Sequence, residues 1–281
     1  MAKQKTAVQP ARGRAKRKQG DVITQVKTVW KGRELEVRQL AIDDLERIAR
    51  FRRAGYGGSV SDALCGLGVD DTIFAHQFRA LRQGMQLVGR AIPIKLHSQV
   101  GGVNTPDEQR ELEKKWEAEG GHPQKRMMRT VATSAPGSIL CFDCGGDLQP
   151  AQFGEMSCQL AYAHGCRGML LAGNCRDTQY VLKMPDFPMF TFGTTPNAFG
   201  GWMITEVNRP IFLPGHLTHY VRVNPGDYVF GDNDGVQLIP AALVDEVLLQ
   251  VEATFEKENK ERDALAQGMP IDEVYRTFGV L

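Results

Sequence analysis

Between residues 34 and 56, apolar side chains recur at helical spacing, at Leu40, Leu45, Ile48 and Phe51, and the spacing predicts a helix. Gly55, Gly57 and Gly58 interrupt it, and the run Ser59-Val60-Ser61-Asp62-Ala63-Leu64 reads as the capped start of another helix. Residues 85–96 (MQLVGRAIPIKL) alternate apolar and polar positions, as a strand does. Residues 105–129 are charged and helix-like around Trp116, which marks a surface insertion rather than core.

The pattern is most regular after residue 137. Residues 138–143 (SILCFD) read as a short apolar strand, and Cys144-Gly145-Gly146-Asp147 as a loop. Residues 154–164 predict a helix in which Met156, Leu160 and Ala163 share a face and Gly165 closes the C-terminus. Residues 168–172 (GMLLA) give the next buried strand. Strand, helix and strand in this order predict a βαβ unit with parallel strands. After Pro185 the chain is rich in strands and turns, and residues 223–240 (VNPGDYVFGDNDGVQLIP) read as two short strands around an Asp-Asn-Asp-Gly turn. Val244, Val247, Leu248, Val251 and Phe255 form one stripe of a C-terminal amphipathic helix that ends near Gly268-Met269-Pro270. With no internal repeat or linker, residues 21–281 are expected to form a single α/β domain.

Composition narrows the class. The chain has 281 residues and a net charge of +1, long enough for a sizeable core. No apolar run approaches the roughly 20 residues of a membrane span, and the start of the chain lacks the apolar stretch of a secretory signal. A cytoplasmic location is therefore expected. Residues 1–20 carry seven Lys or Arg and no acid, the composition of a disordered basic tail. The remainder is acidic, which argues against a nucleic-acid-binding body. Six cysteines (Cys65, Cys141, Cys144, Cys158, Cys166, Cys175) sit mostly in apolar segments and read as buried free thiols. Cys141 and Cys144 have CxxC spacing, but no second pair follows at zinc-site distance.

The candidate chemistry comes from the βαβ unit. In such a unit the carboxyl ends of the strands and the amino end of the helix lie on one edge, where open α/β sheets bind ligands. Asp143 and Asp147 leave the first strand toward that edge, Glu155 sits in the first helical turn, and Arg176 and Asp177 leave the second strand in a turn. The amides of Met156 and Ser157 add an anion site. A guanidinium fork can grip a carboxylate, and a carboxylate beside it can hold a hard divalent cation that keeps several waters. Together they would bind a 2-oxo acid and stabilise the enolate formed in aldol cleavage or decarboxylation, with Glu155 or Asp147 orienting water for proton transfer.

Several segments carry a resemblance: SVSDALCGLG (59–68), LVGRAIPI (87–94), GSILCFDCGGD (137–147), FGEMSCQLAYAHGCRGMLLAGNCRD (153–177) and VNPGDYVFGDNDGVQLIP (223–240). Their order and spacing resemble the RraA-like family, which includes class II 4-hydroxy-4-methyl-2-oxoglutarate/4-carboxy-4-hydroxy-2-oxoadipate aldolases. Most specific is an acid, twenty residues, then Arg-Asp, here Glu155 to Arg176-Asp177. The resemblance implies a βαβ-containing sandwich, a trimer or a dimer of trimers, and sites at subunit interfaces. It implies Asp177 as the ligand of Mg2+ or Mn2+ and Arg176 as the binder of the pyruvyl part. Glu155 would contact water on the metal, while Gly154 and the amides of Met156 and Ser157 would hold the substrate carboxylate. The aldolase pattern has a further acid where this chain has Tyr180, and His216 and His219 stand three apart in a loop or strand. A carbon-carbon lyase acting on a 2-oxo acid is the function expected. The alternatives are a non-catalytic regulator that binds a ribonuclease, as the family's namesake branch does, and a metal-dependent hydratase or dehydratase of sugar acids.

Overall fold

Residues 34–56 are not one helix. Ile23–Trp30 (β1) and Arg33–Leu40 (β2) pair antiparallel along their whole length, from Ile23↔Leu40 to Trp30↔Arg33, and only Asp44–Ala54 (α1) is helical. The two-residue loop Lys31-Gly32 has φ of 48° and 81°, the left-handed turn that matches the twist of a hairpin. Val26, Thr28 and Trp30 of β1 are half-buried and alternate with exposed positions, but Ile23 and Val29 are apolar and exposed, which blurs the alternation in the sequence. Asp43 caps α1 by accepting from the Glu46 amide at 2.8 Å, and Arg52 and Arg53 occupy its last turn, where the helix dipole favours cations.

In the computed structural model the described residues are 21–98, 105–118, 120–121, 127, 136–198 and 202–279; the basic tail expected at 1–20 lies outside them. After α1 come Gly57–Gly66 (α2), Arg79–Ala80 (β3), Leu87–Ser98 (β4) and the solvent-facing Pro106–Ala118 (α3). Most of the expected insertion beyond α3, residues 119–129, also lies outside the described residues. Next come Ile139–Asp143 (β5), Ala151–Phe153 (β6), Glu155–Ala163 (α4), Met169–Cys175 (β7), Thr178–Val181 (α5) and Met189–Thr194 (β8). The chain closes with Trp202–Val207 (β9), Ile211–Pro214 (β10), Tyr220–Val223 (β11), Tyr228–Gly231 (β12), Val236–Ile239 (β13), Val244–Ala266 (α6) and Ile271–Phe278 (α7).

The fold is mixed α/β, as expected. The main sheet runs β13-β12-β4-β5-β7-β8-β3, with β6 also on β7 and β9 also on β4. Its centre is parallel (β4/β5, β5/β7, β6/β7 and β7/β8) and its flanks are antiparallel. The β10–β11 hairpin packs Ile211, Leu213, Val221 and Val223 with the sheet residues Cys141, Leu170 and Val229. Helices α1, α2 and α6 share a second cluster with β12, and α4 a third with β5 and β7. Val247, Leu248 and Val251 of α6 are fully buried, each contributing about 1.5–3 kcal/mol.

Two helical details differ from the sequence reading. The buried face of α4 is Cys158 and Ala161, whereas Met156 is 74% exposed and Ala163 also faces solvent. Cysteine and alanine line the side against the sheet because a helix must come close to strands there, which leaves the larger Met156 outside. The turn at Gly268-Met269-Pro270 does end α6, but Pro270 then serves as the N-cap residue of α7, since a proline at a helix start lacks only an amide that has no intrahelical partner. No described helix is long and apolar enough to cross a membrane.

Ion pairs tie α6 to the first half of the chain. Arg38 donates to Glu246 through its backbone amide and through Nε and Nη2, at 2.9, 2.9 and 2.7 Å. The guanidinium hydrogen bonds hold the Glu246 carboxyl down to about 2. A depressed carboxyl contributes stability that is complete above the unfolded value of about 4.3 and is lost as pH falls toward about 2. In melts from pH 6 to pH 2, Glu246→Gln is therefore expected to lower the melting temperature at pH 6 and to shrink the further loss below about pH 4.3. Parallel curves for both proteins would remove Glu246 as a source of the acid sensitivity.

Candidate active site

All seven residues of β7, MLLAGNC, are buried between β5 on one side and β8 on the other. Such a continuous apolar run is what a strand inside a parallel sheet requires. The sheet ends abruptly. The Arg176 amide donates to the Phe153 carbonyl at 2.9 Å, and Asp177 turns into the left-handed region at φ 56°. Its carbonyl then accepts from Tyr180 and Val181, which starts α5. Aspartate tolerates that conformation better than most residues. The turn brings two adjacent side chains together: Arg176 Nε lies 3.6 Å from Asp177 Oδ2, with 43% and 46% of the side chains exposed.

The pair lies on the amino terminus of α4. A Cβ added to Gly154, the N-cap residue, would sit 2.4 Å from Asp177 Oδ2 and 3.3 Å from Arg176 Nε. Only a glycine leaves room for that approach. Glu155 is the next residue, and the first intrahelical bond runs from the Cys158 amide to the Gly154 carbonyl, so the amides of Glu155, Met156 and Ser157 precede the helical ladder. Glu155, Arg176 and Asp177 thus share one edge, beside a cleft of about 500 Å³ lined by Arg176, Asp177, Thr178, Gln179, Thr194 and Thr195 among others.

Beneath the edge lie Cys158 and Cys175, both buried. Burial pushes the Cys175 thiol up to about 12 and Cys158 well above its ordinary value. They form a neutral floor rather than a reactive pair. Cys141 and Cys144 are likewise buried and raised by desolvation, and five of the six free cysteines are buried, as the sequence implied; Cys65 is exposed.

Asp143 does not reach this edge. It pairs in register with Ala172, its Oδ1 accepts from the Gly145 amide, and Oδ2 lies 3.6 Å from Lys95 Nζ. The reason is β6, which takes over from β5 beside the end of β7, with Phe153 opposite Cys175. The residues that arrive at the edge are therefore Gly154 and Glu155. Asp147 belongs to the loop between β5 and β6, where it lines a separate cavity of about 740 Å³ with Gly145, Gly146 and Asn197.

Two buried amides missed in the sequence hold that loop. Gln152 Nε2 donates to the Asp147 carbonyl at 2.8 Å while its Oε1 accepts from the Asn174 amide at 2.8 Å. Asn174 Nδ2 donates to the Leu148 carbonyl at 2.6 Å. The available signal was a single polar residue inside each apolar strand, Gln152 in AQF and Asn174 in MLLAGNC; a buried amide must find partners. His216 and His219 lie in the turn between β10 and β11, away from the cleft, and His216 stacks edge-on against His76 at 4.8 Å. Tyr180 is 52% exposed on α5, with Lys183 Nζ 4.8 Å from its ring centre.

Among the described residues no group of three or more His, Cys, Asp or Glu could enclose a metal ion. The donors at the edge are oxygens of Asp177 and Glu155 in a half-exposed cleft. That set suits a hard cation that keeps most of its water, and does not suit a closed protein cage or a soft metal.

Residues 58–238 match the RraA-like family, described as Aldolase/RraA. A protein of Halalkalibacterium halodurans named "Putative 4-hydroxy-4-methyl-2-oxoglutarate aldolase" is 32% identical over 122 residues, 43% of this chain and 55% of that protein. A protein of the same name from Alcanivorax borkumensis is 31% identical over 119 residues, 42% of this chain and 71% of the relative. The match to the first spans about half of that relative's length. In fold, the chain resembles Streptomyces coelicolor RraAS2, described as an unusual member of the RNase ES inhibitor RraA protein family. The TM-score is 0.60 at 19% identity, covering 80% of this chain and all of that one. An uncharacterized protein from Pseudomonas syringae pv. tomato gives a TM-score of 0.60 at 20% identity, covering 82% and 96%. With the family match extending over well more than half its length, from α2 to β13, the chain belongs to the RraA-like family.

Proposed function

We propose that the protein is a divalent-metal-dependent carbon-carbon lyase that acts on 2-oxo acids, by retro-aldol cleavage, by decarboxylation of oxaloacetate-type acids, or by both. The observation that carries this reading is the seating of Arg176 and Asp177 directly on Gly154, beside Glu155 at the amino end of α4. Arg176 grips the carboxylate at the 2-oxo end with two parallel hydrogen bonds. The α4 amides of Met156 and Ser157, with Gly154 leaving the approach open, present the helix's positive end to the same group. Asp177, with Glu155 beside it, would hold Mg2+ or Mn2+, which when bound supplies Lewis-acid stabilisation of the charge developing on the 2-oxo oxygen. In the aldol case a base takes the proton of the 4-hydroxyl, the C3–C4 bond breaks toward C3, and the resulting enolate is protonated at C3 to give pyruvate. Glu155 is the carboxylate positioned for these proton transfers. Asp147, set back in its loop on a separate cavity, is the second candidate for orienting water. Self-association as a trimer or hexamer and a cytoplasmic location belong to the same proposal.

Turnover of oxaloacetate, followed as pyruvate formed, is expected with added Mg2+ or Mn2+ and is expected to vanish with excess EDTA. Pyruvate formation at the uncatalysed rate, with neither this acid nor a 4-hydroxy-2-oxo acid cleaved, would turn the reading toward a non-catalytic regulator. Gly154→Ala supplies a geometric test. Its backbone (φ −127°, ψ −175°) suits alanine, but the new Cβ would push into the Asp177 carboxylate. The variant is expected to change stability little, because the atom displaced is the end of a half-exposed side chain, and to lose activity at a temperature where it remains folded. Unaltered kinetics would show that the close approach is not needed for the reaction.

A further inference from the structure

Near its carboxyl end β7 is out of step with both β6 and β8. Leu171 faces Thr191 but Asn174 faces Gly193, so β7 carries one extra residue, at Ala172-Gly173, relative to β8. Against β6 the surplus is reversed: Ala151 faces Asn174 and Phe153 faces Cys175, which leaves Gln152 as the extra residue. Such bulges are rare in parallel pairs, leave the extra residue outside the ladder and re-aim the residues beyond. Side chains hold both of them. Thr191 Oγ1 donates to the Gly173 carbonyl at 2.6 Å, with the Gly193 carbonyl 3.1 Å away. Gln152 Oε1 accepts from the Asn174 amide at 2.8 Å. A Cβ on Gly173 would sit 2.4 Å from that Oε1 and 2.9 Å from Cys144 Sγ, so the bulge closes only around glycine. Gln152, Asn174 and Thr191 are all buried, where backbone groups outside a ladder must find partners.

The consequence reaches the edge that carries Arg176 and Asp177. Without the extra residue, the β6 ladder would run on from Ala151↔Asn174 to set Phe153 opposite Arg176 and offer its carbonyl to the Asp177 amide. Instead Phe153 faces Cys175 and its carbonyl accepts from the Arg176 amide. The ladder ends one residue earlier. Asp177 is released from it, takes φ 56° and brings its carboxylate beside Arg176 over Gly154, whereas neighbours held within a strand point to opposite faces. The extra residue on β7 likewise sets Cys175, rather than Asn174, opposite Thr194 on the wall of the cleft.

We propose that Gln152 and Thr191 are positioning residues for the Arg176–Asp177 pair, acting through the two bulges at the end of β7. The kinetic consequence rests on the lyase reading; the placement of the pair is read without turnover. Three variants of the full chain make the test. Thr191→Val keeps the shape and removes the hydroxyl, Thr191→Ser keeps the hydroxyl, and Gln152→Met keeps the length and removes both hydrogen bonds. Crystal structures of Thr191→Val and Gln152→Met are expected to show the Asp177 carboxylate withdrawn from Gly154, and that of Thr191→Ser to show it in place. With oxaloacetate and Mg2+, kcat/KM is expected to fall about tenfold to a hundredfold in the first two, the scale on which a displacement of about 1 Å acts, with Mn2+ affinity falling in parallel. Thr191→Ser is expected to stay near wild type in both. A role in stability alone would lower the melting temperature and leave the kinetics of the folded protein unchanged. Should Gln152→Met fail to fold, Thr191→Val decides. A pair unmoved over Gly154 in every variant that folds would overturn the proposal, whether or not the wild type is active, and so would a displaced pair with unchanged kinetics. A displaced pair in a protein whose wild type neither cleaves a 2-oxo acid nor binds Mn2+ would overturn the lyase reading and leave the positioning role standing.

Discussion

Asp177→Asn is expected to lower turnover of a 2-oxo acid by about a hundredfold or more, the scale on which removing one charge-stabilising group acts, with little change in melting temperature. The backbone explains why this substitution isolates the charge. Asp177 adopts φ 56°, which asparagine also accepts, and its carbonyl bonds to Tyr180 and Val181 do not involve the side chain. The carboxylate is nearly half exposed and its nearest cation is Arg176 at 3.6 Å, so its contribution to stability as an ion pair is about 0–1 kcal/mol. Two readouts are needed: kcat/KM at saturating Mg2+ or Mn2+, and Mn2+ affinity by paramagnetic titration. Both are expected to fall. Near-wild-type turnover at saturating metal would remove Asp177 from the role of metal ligand.

Arg176→Lys separates substrate recognition from surface pairing. If the guanidinium only neutralised Asp177, lysine would keep the charge and the change would cost little, because exposed pairs contribute about 0–1 kcal/mol. A fork on a substrate carboxylate cannot be reproduced by an ammonium. Losing one charge-assisted bond of roughly 1.5–3 kcal/mol lowers kcat/KM about tenfold to a hundredfold. Arg176 is 43% exposed on its side chain and its backbone amide bond to Phe153 survives the change, so the melting temperature is expected to hold. Unchanged kinetics, or equal losses of stability and activity, would make Arg176 structural and remove the main support of the lyase reading.

The parallel core and three of the edge residues, Glu155, Arg176 and Asp177, were legible because buried strands and an amphipathic helix leave strong periodic signals: residues 138–143, 154–164 and 168–172 became β5, α4 and the first part of β7. Other elements left weaker signals. The hairpin β1–β2 hides its alternation by placing the apolar Ile23 and Val29 on the exposed side of β1, and its turn uses Lys31-Gly32 instead of the more familiar Asn-Gly. Strand β6 has three residues, too few for any period, yet it decides that Glu155 reaches the edge and Asp143 does not. The face of α4 was misread because Met156 is a large apolar side chain that draws the eye, while the close packing of helix on sheet selects the small Cys158 and Ala161. The Gln152–Asn174 amide pair could only be seen in three dimensions, since each residue alone looks like a stray polar position in a strand.

The interruption between β5 and β6 also has a meaning for how such a protein can change over time. Because β6 docks on β7 independently of β5, the loop from Cys144 to Pro150 can be exchanged or lengthened without displacing the edge that carries Arg176 and Asp177. A replacement need only offer two main-chain carbonyls where Asp147 and Leu148 now meet Gln152 and Asn174. Any backbone can supply a carbonyl, so the requirement leaves the side chains of the loop open to selection. The architecture therefore separates the edge that carries Arg176 and Asp177 from a loop whose side chains are free to change, and loop grafting between relatives tests whether that loop bears on substrate range under the proposed lyase reading.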